Sequence, residues 1–144
     1  MEKDIYVFNI NIVRIENMFH IMKEIYREYE EGKMVVGPTD IATRTGMAKS
    51  TAYHALKELA RNGYGRYIEK KGFILNSKGL KMAKKAMRRH RLLECFIVEM
   101  LELSPEKACT EASKIDGVVG EEFMMEIEKK YGGYKKCPCG KKIP

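Results

Sequence analysis

Thr39-Asp40-Ile41-Ala42-Thr43-Arg44-Thr45-Gly46, followed after a short turn by Lys49-Ser50-Thr51-Ala52-Tyr53-His54-Ala55-Leu56-Lys57-Glu58-Leu59-Ala60-Arg61-Asn62, decides how this chain folds. Thr39, just after Pro38, reads as the cap of a short helix, and Gly46 reads as its stop, because glycine reverses the chain at no steric cost. The second stretch has a helical stripe of Ala52, Ala55, Leu56, Leu59 and Ala60, while Ser50, Tyr53, His54, Lys57 and Arg61 share the opposite face. A helical hairpin in an ordinary core needs the buried stripe but has no use for an outer face of hydroxyls, an imidazole and cations. Helix, glycine turn and helix with such a face is the helix-turn-helix arrangement, whose second helix reads the major groove. Ser50, Thr51 and His54 are then expected at base edges, with Tyr53 on the same face and Lys49 and Lys57 on phosphates.

The stretch that follows extends this reading. Asn62-Gly63 ends the helix, Tyr64–Ile68 and Phe73–Leu75 read as two strands, and Glu69-Lys70-Lys71-Gly72 as the turn between them. A wing tipped by Lys70 and Lys71 can lie along a phosphate backbone. Asn76 is placed to cap the next helix, which runs through Lys81, Lys84, Lys85 and Arg88. Residues 48–91 carry 13 basic side chains against only Glu58 and Glu69, a net charge of +11, whereas residues 1–47 carry −2 and 92–134 carry −6. A solvated lysine-rich face would mix both signs as the rest of the chain does, so this block calls for a polyanion, and double-stranded DNA is the expected partner.

Before the block, residues 5–15 are rich in β-branched and aromatic side chains and read as a strand or arm, and a helix begins at Glu16 with Met18, Ile21, Met22, Ile25, Tyr26 and Tyr29 on one stripe. Beyond it, Leu92 to Leu101 is apolar around most of its circumference, which points to a helix buried on several sides, as at a subunit interface. Ser104-Pro105-Glu106 starts a helix reaching about Val118, and Gly120-Glu121-Glu122 opens another that ends at Tyr131-Gly132-Gly133. A chain of 144 residues with 44% hydrophobic content can bury a core. No apolar run approaches the ~20 residues of a membrane span, and Met1-Glu2-Lys3-Asp4 does not open a secretory signal, so a cytoplasmic protein with no membrane partner is expected. There, Cys95, Cys109, Cys137 and Cys139 are more suited to metal binding or redox sensing than to disulfides. No nucleophile is paired with a base and an oxyanion site, so no enzyme is expected.

The junction Met87-Arg88-Arg89-His90-Arg91-Leu92-Leu93-Glu94-Cys95 closes the basic block. His90 and Glu94 stand one helical turn apart and read either as a solvated ion pair or as two ligands of one metal ion. Together with Lys78-Gly79, the Ser104-Pro105-Glu106-Lys107 helix start and the Cys137-Pro138 … Gly140 … Ile143-Pro144 tail, this junction resembles the diphtheria-toxin-repressor family of metal-dependent transcriptional regulators, iron- and manganese-responsive branches included. The resemblance covers residues 16 to 144. It implies a mainly α chain in two-domain form: an N-terminal winged helix over 16–77 after an extension at 1–15, then a helical dimerisation and metal-binding domain over 78–144. It also implies a homodimer that represses from a palindromic operator when loaded with metal. Ala48 stands where relatives often place a capping serine, which weakens the start of the second helix by about 1 kcal/mol.

The resemblance assigns two metal sites. The family's main activating site falls on His20, Ser113, Asp116 and Gly117, of which only His20 and Asp116 carry good donors, so it is the weaker candidate. The second falls on His90, Glu94, Cys109, Cys137 and Cys139, all competent ligands. Cysteine replaces the more usual histidine at 109 and 139, which softens the site toward Fe2+ or Zn2+ (iron or zinc) ahead of Mn2+ (manganese). A structural zinc, a thiol redox switch and an iron–sulfur cluster are the alternatives to reversible metal sensing.

Overall fold

The computed structural model describes residues 18–144. The arm expected over 1–15 lies outside them, and the helix expected from Glu16 is described from Met18. The order is helix α1 (18–30), α2 (Pro38–Thr45), α3 (Lys49–Arg61), strands β1 (Gly65–Ile68) and β2 (Gly72–Leu75), then α4 (Ser77–Leu101), α5 (Pro105–Ile115) and α6 (Glu121–Tyr131). The chain forms two compact units, 21–84 and 85–144 with 18–20, so the division falls inside α4. The boundary expected at 77/78 lies at the start of that helix.

In the first unit the apolar stripe of α1 buries Ile21, Met22, Ile25 and Tyr26. The helix expected to follow a Thr39 cap begins two residues earlier, at Pro38. Thr39 is not its cap: Gly37 holds that position, Pro38 fills the first turn, where a missing N–H costs nothing, and Asp40 Oδ2 reaches back to accept from the Gly37 N–H at 2.8 Å. The α2 threonines turn inward along the helix instead, Thr43 and Thr45 donating to the carbonyls of Thr39 and Ile41. Gly46 sits in the left-handed region at φ 76° and returns its N–H to Ala42 O at 2.9 Å, which frees the chain to turn into α3. Ala52, Leu56 and Leu59 are the buried residues of α3.

The wing forms as an antiparallel pair with Gly65 opposite Leu75 and Ile68 opposite Gly72. Val36 extends it, exchanging both backbone hydrogen bonds with Phe73 at 2.9 and 2.8 Å. This partner is too short to leave a strand pattern in the sequence. Asn76 caps α4 as expected: its Oδ1 accepts from the Gly79 N–H and its Nδ2 donates to Gly63 O, both at 2.8 Å. Gly79 is required at its place because a Cβ there would stand 1.8 Å from the Tyr64 carbonyl oxygen.

The second unit packs Leu92, Leu93, Cys95 and Ile97 of α4 with Ala108 and Ala112 of α5, Met124, Ile127 and Tyr131 of α6, and Cys137 and Ile143 of the tail in one cluster. Most of the circumference that read as a subunit interface is therefore covered within the unit, while Met100 and Leu101 stay 53% and 60% exposed. Ser104 caps α5, accepting from the Lys107 N–H at 3.3 Å. That helix ends at Ile115 rather than near Val118: Val118 and Val119 both donate to the Ile115 carbonyl in a turn, Asp-Gly being a poor continuation of a helix. Among the described residues no helix is long and apolar enough to cross a membrane.

Ala48 occupies the α3 cap position without a side-chain hydrogen bond. Ala48→Ser offers an acceptor to the first-turn N–H groups and is expected to raise the unfolding free energy by about 1 kcal/mol in chemical denaturation.

Candidate metal centre and nucleic-acid interface

His90 and Glu94 are not a solvated ion pair. Their side chains are 0% and 3% exposed, and His90 Nε2 lies 2.6 Å from Glu94 Oε1. The other ring nitrogen, Nδ1, lies 2.9 Å from Asp116 Oδ2, and Nε2 also faces Cys109 Sγ at 3.5 Å. A carboxylate on Nδ1 holds that proton in place and fixes the ring, which leaves Nε2 as the atom able to ligate. Asp116 is the C-cap of α5, its backbone still helical at φ −59°, ψ −30° and its N–H bonded to Ala112 O at 2.8 Å. Arg89, buried beside it, donates to the Asp116 carbonyl and pairs with Glu121 at 3.0 Å.

The tail brings the remaining thiols to the same carboxylate. Cys139 Sγ lies 3.5 Å from Glu94 Oε2 and 3.7 Å from the Pro105 carbonyl. Local hydrogen bonds fold the tail, Gly140 N–H to Cys137 O at 2.8 Å and Cys137 N–H to Lys141 O at 2.9 Å. Two arginines of α4 anchor it. Arg91 donates to Lys142 O at 2.6 Å, and Arg88 donates to Gly132 O and Pro144 O at 3.0 and 3.1 Å while pairing with Glu128. The donor atoms of His90, Glu94 and Cys109 fall within 4.8 Å of one another, as do those of Glu94, Cys137 and Cys139. Burial and the Glu94 carboxylate push the Cys139 thiol up to about 12. Cys95 belongs to neither group, and burial raises its thiol to about 11, an inert core cysteine.

The weaker candidate site offers only two good donors, His20 and Asp116. Neither donor group includes His20 or Asp116, and Asp116 is hydrogen-bonded to a ligand candidate, His90. Ser113 lies on α5 and Gly117 in the turn beyond it. Asp116 as an orienting group was not legible in the sequence, since 26 residues separate it from His90 and no periodicity links them.

In the first unit Lys49, Ser50, Thr51 and His54 of α3 are exposed, as are Lys70 and Lys71 at the wing turn. Tyr53 and Lys57 are half-buried because they tie α3 to the wing. Tyr53 meets Tyr67 edge to face at 5.4 Å, Lys57 Nζ lies over both rings, and it binds Glu69 Oε1 at 2.6 Å. Three members of the basic block do not belong to this face: Arg88, Arg89 and Arg91 are taken up by carbonyls and carboxylates of the second unit.

Asp116→Asn should weaken transition-metal binding roughly 10- to 100-fold, the usual effect of losing an orienting carboxylate. Competition against a chromophoric chelator, with circular dichroism to confirm folding, measures it, and unchanged affinity would remove Asp116 from the centre. Comparison with known proteins bears on what the two units are. Residues 15–73 match the family model of the iron dependent repressor N-terminal DNA binding domain, and residues 76–144 that of the iron dependent repressor metal binding and dimerisation domain. The transcriptional regulator MntR of Escherichia coli is 32% identical over 110 residues, 76% of this chain and 68% of that protein. An uncharacterized HTH-type transcriptional regulator of Methanocaldococcus jannaschii is 28% identical over 107 residues, 74% of this chain and 86% of that one. The solved structure of a manganese-dependent transcriptional repressor in complex with manganese superposes with a TM-score of 0.79 at 29% identity, covering 88% of this chain and 58% of that one. With a winged helix followed by a helical unit in which ligand residues gather, and with both domain models matched, the chain belongs to the family of metal-dependent transcriptional repressors.

Proposed function

We propose that this chain represses transcription as a homodimer on a palindromic operator, and that a divalent transition metal held by His90, Glu94, Cys109, Cys137 and Cys139 switches its binding. The observation that carries this reading is the convergence of donors from α4, α5 and the tail on the buried carboxylate of Glu94. The donor set fits such an ion. His90 is already oriented through Nδ1, and the ligand atoms of His90, Glu94 and Cys109, like those of Glu94, Cys137 and Cys139, lie within 4.8 Å of one another, close enough for three protein donors to hold an ion. Three thiols beside one imidazole and one carboxylate favour Fe2+ or Zn2+ over Mn2+.

A bound divalent cation supplies the charge that lets Glu94 and thiolates share a mostly buried space. The chain's own groups determine what binding displaces. Glu94 Oε1 and His90 Nε2 are close enough to share a proton, and the Cys139 thiol is held protonated by burial and by Glu94. Ligation must therefore release protons, and metal affinity is expected to rise with pH across the neutral range. Once ligated, Cys109 fixes α5 to α4, and Cys137 and Cys139 fix the tail that Arg88 and Arg91 already hold by its carbonyls. Exposed Met100, Leu101, Phe123 and Met125 offer the apolar surface for a second copy.

On the DNA side, Ser50, Thr51 and His54 address base edges with Tyr53 beside them, and Lys49, Lys70 and Lys71 address phosphates. Lys57 reaches a phosphate only by leaving Glu69. Fluorescence anisotropy on an operator selected from random duplexes tests the reading. Stripping the metal should cost at least about tenfold in affinity, about 1.4 kcal/mol, restored by Fe2+ or Zn2+; unchanged affinity of a folded, metal-free protein contradicts it. Lys71→Ala should lower the salt slope of binding by about 0.9, and Glu69→Gln, which frees Lys57, should raise it by a similar amount. Thr51→Ala and His54→Ala should relax sequence preference and leave the slope in place.

A further inference from the structure

The α4 helix from Ser77 to Leu93 contains Lys78, Lys81, Lys84, Lys85, Arg88, Arg89 and Arg91 and no acid. Carbonyls and carboxylates engage the three arginines. Lys78 leans on the end of α3, its Nζ 3.4 Å from Asn62 O and 4.8 Å from the centre of the Tyr64 ring. Lys81 and Lys84 of the first unit, and Lys85 after them, are exposed, and among the described residues none of the three has an ion-pair or hydrogen-bond partner.

Other helices of this chain treat their cations differently. Arg61, Lys114 and Lys129 each pair with an acid three residues earlier, at 2.6, 2.8 and 2.7 Å. On α4 the positions three or four places from Lys81 hold Ser77, Lys78, Lys84 and Lys85, so like charges stand where the other helices put opposite ones. Lys78 and Lys81 also add positive charge to the opening turns, the positive end of the helix dipole, where acids are favoured. A helix assembled against both rules carries a local cost that a bound polyanion removes.

We propose that Lys81 and Lys84 form a second DNA-contact surface, which takes backbone phosphates outside the groove read by α3. This rests on the chain binding DNA through α3 and the wing, and extends the footprint to a different element. Ser50 and Thr51 stand at the start of α3, whereas α4 begins beside its end, where Asn76 and Lys78 bond to Gly63 O and Asn62 O. From Thr51 to Asn62 the helix rises about 16 Å, more than the about 12 Å width of a major groove. Lysine ammonium groups on flexible stems suit phosphates rather than base edges. Two sources offer that chemistry: the flanks of the operator duplex, and a second duplex lying on α4.

Fluorescence anisotropy of the full chain loaded with Zn2+ tests this, on the operator duplex alone and on the same duplex extended by about ten base pairs at each end. The variant carrying Lys81→Gln and Lys84→Gln should lose about 1.8 from the salt slope per bound chain on the extended duplex and keep the wild-type slope on the short one. Its helical circular dichroism should be retained, since the substitutions remove like charges from α4. If the phosphates come from a second duplex, wild type sedimented with excess non-specific duplex should carry two duplexes and the variant one. Equal slopes on the extended duplex with no two-duplex complex in either protein overturn the proposal. So does an equal fall on both duplexes, which places the lysines within the core footprint, and so does a loss confined to binding of phosphatidylserine vesicles, which makes this a membrane-facing surface. A wild type that selects no operator sinks only the reading of α3, because slopes for non-specific binding to the long and short duplexes still decide the α4 surface.

Discussion

The second unit is organised by the burial of a histidine and a carboxylate one turn apart on α4. An ionised carboxylate that leaves water costs several kcal/mol unless hydrogen bonds and opposite charge replace its hydration. His90 stands against Glu94 Oε1, Asp116 holds the far side of the ring, and Cys109 and Cys139 approach from α5 and the tail. The Asp116 carboxylate is presented from the C-cap of α5, and the tail cysteines from a turn whose carbonyls are gripped by Arg88 and Arg91. Removing the central pair would leave these contacts with nothing to converge on. A metal ion held there, as proposed, would add positive charge beside Glu94 and so couple ligand and fold at the same atoms.

The first unit is governed by different physics. Its geometry comes from backbone devices: the left-handed Gly46, the Gly37–Asp40 cap, Asn76 bonded to both Gly63 and Gly79, and a glycine at 79 where α4 lies on the Tyr64 carbonyl. These leave the polar face of α3 exposed on a rigid support. Surface pairs such as Lys57–Glu69 add little to stability at this exposure. They do decide which cations are free to meet a polyanion.

Local rules made much of this legible in the sequence. The α3 stripe of Ala52, Leu56 and Leu59, the Gly46 stop, the wing and the Asn76 and Ser104 caps follow from periodicity and capping chemistry within a few residues of each other. What the sequence concealed is non-local or one residue long. Val36 joins Phe73 through a single bridge, and Asp116 reaches His90 across 26 residues. Arg88, Arg89 and Arg91 counted toward the basic block, yet their guanidinium groups bond to acceptors 27 to 56 residues away. Thr39 failed as a cap because Gly37 and Asp40 supply the same function two residues earlier. Family resemblance, not spacing, brought Cys109, Cys137 and Cys139 to Glu94, and the structure gathers them into two donor groups there.

Thermodynamic linkage gives the most direct test of metal as the switch. If metal strengthens operator binding, then operator must strengthen metal binding by the same factor. Calorimetric titration of the stripped chain with Zn2+, alone and with saturating operator duplex, should show metal affinity higher on DNA by the ratio of metal-loaded to metal-free operator affinities. Equal metal affinity in the two titrations would contradict the account, leaving the ion a structural staple and the winged helix independent of it.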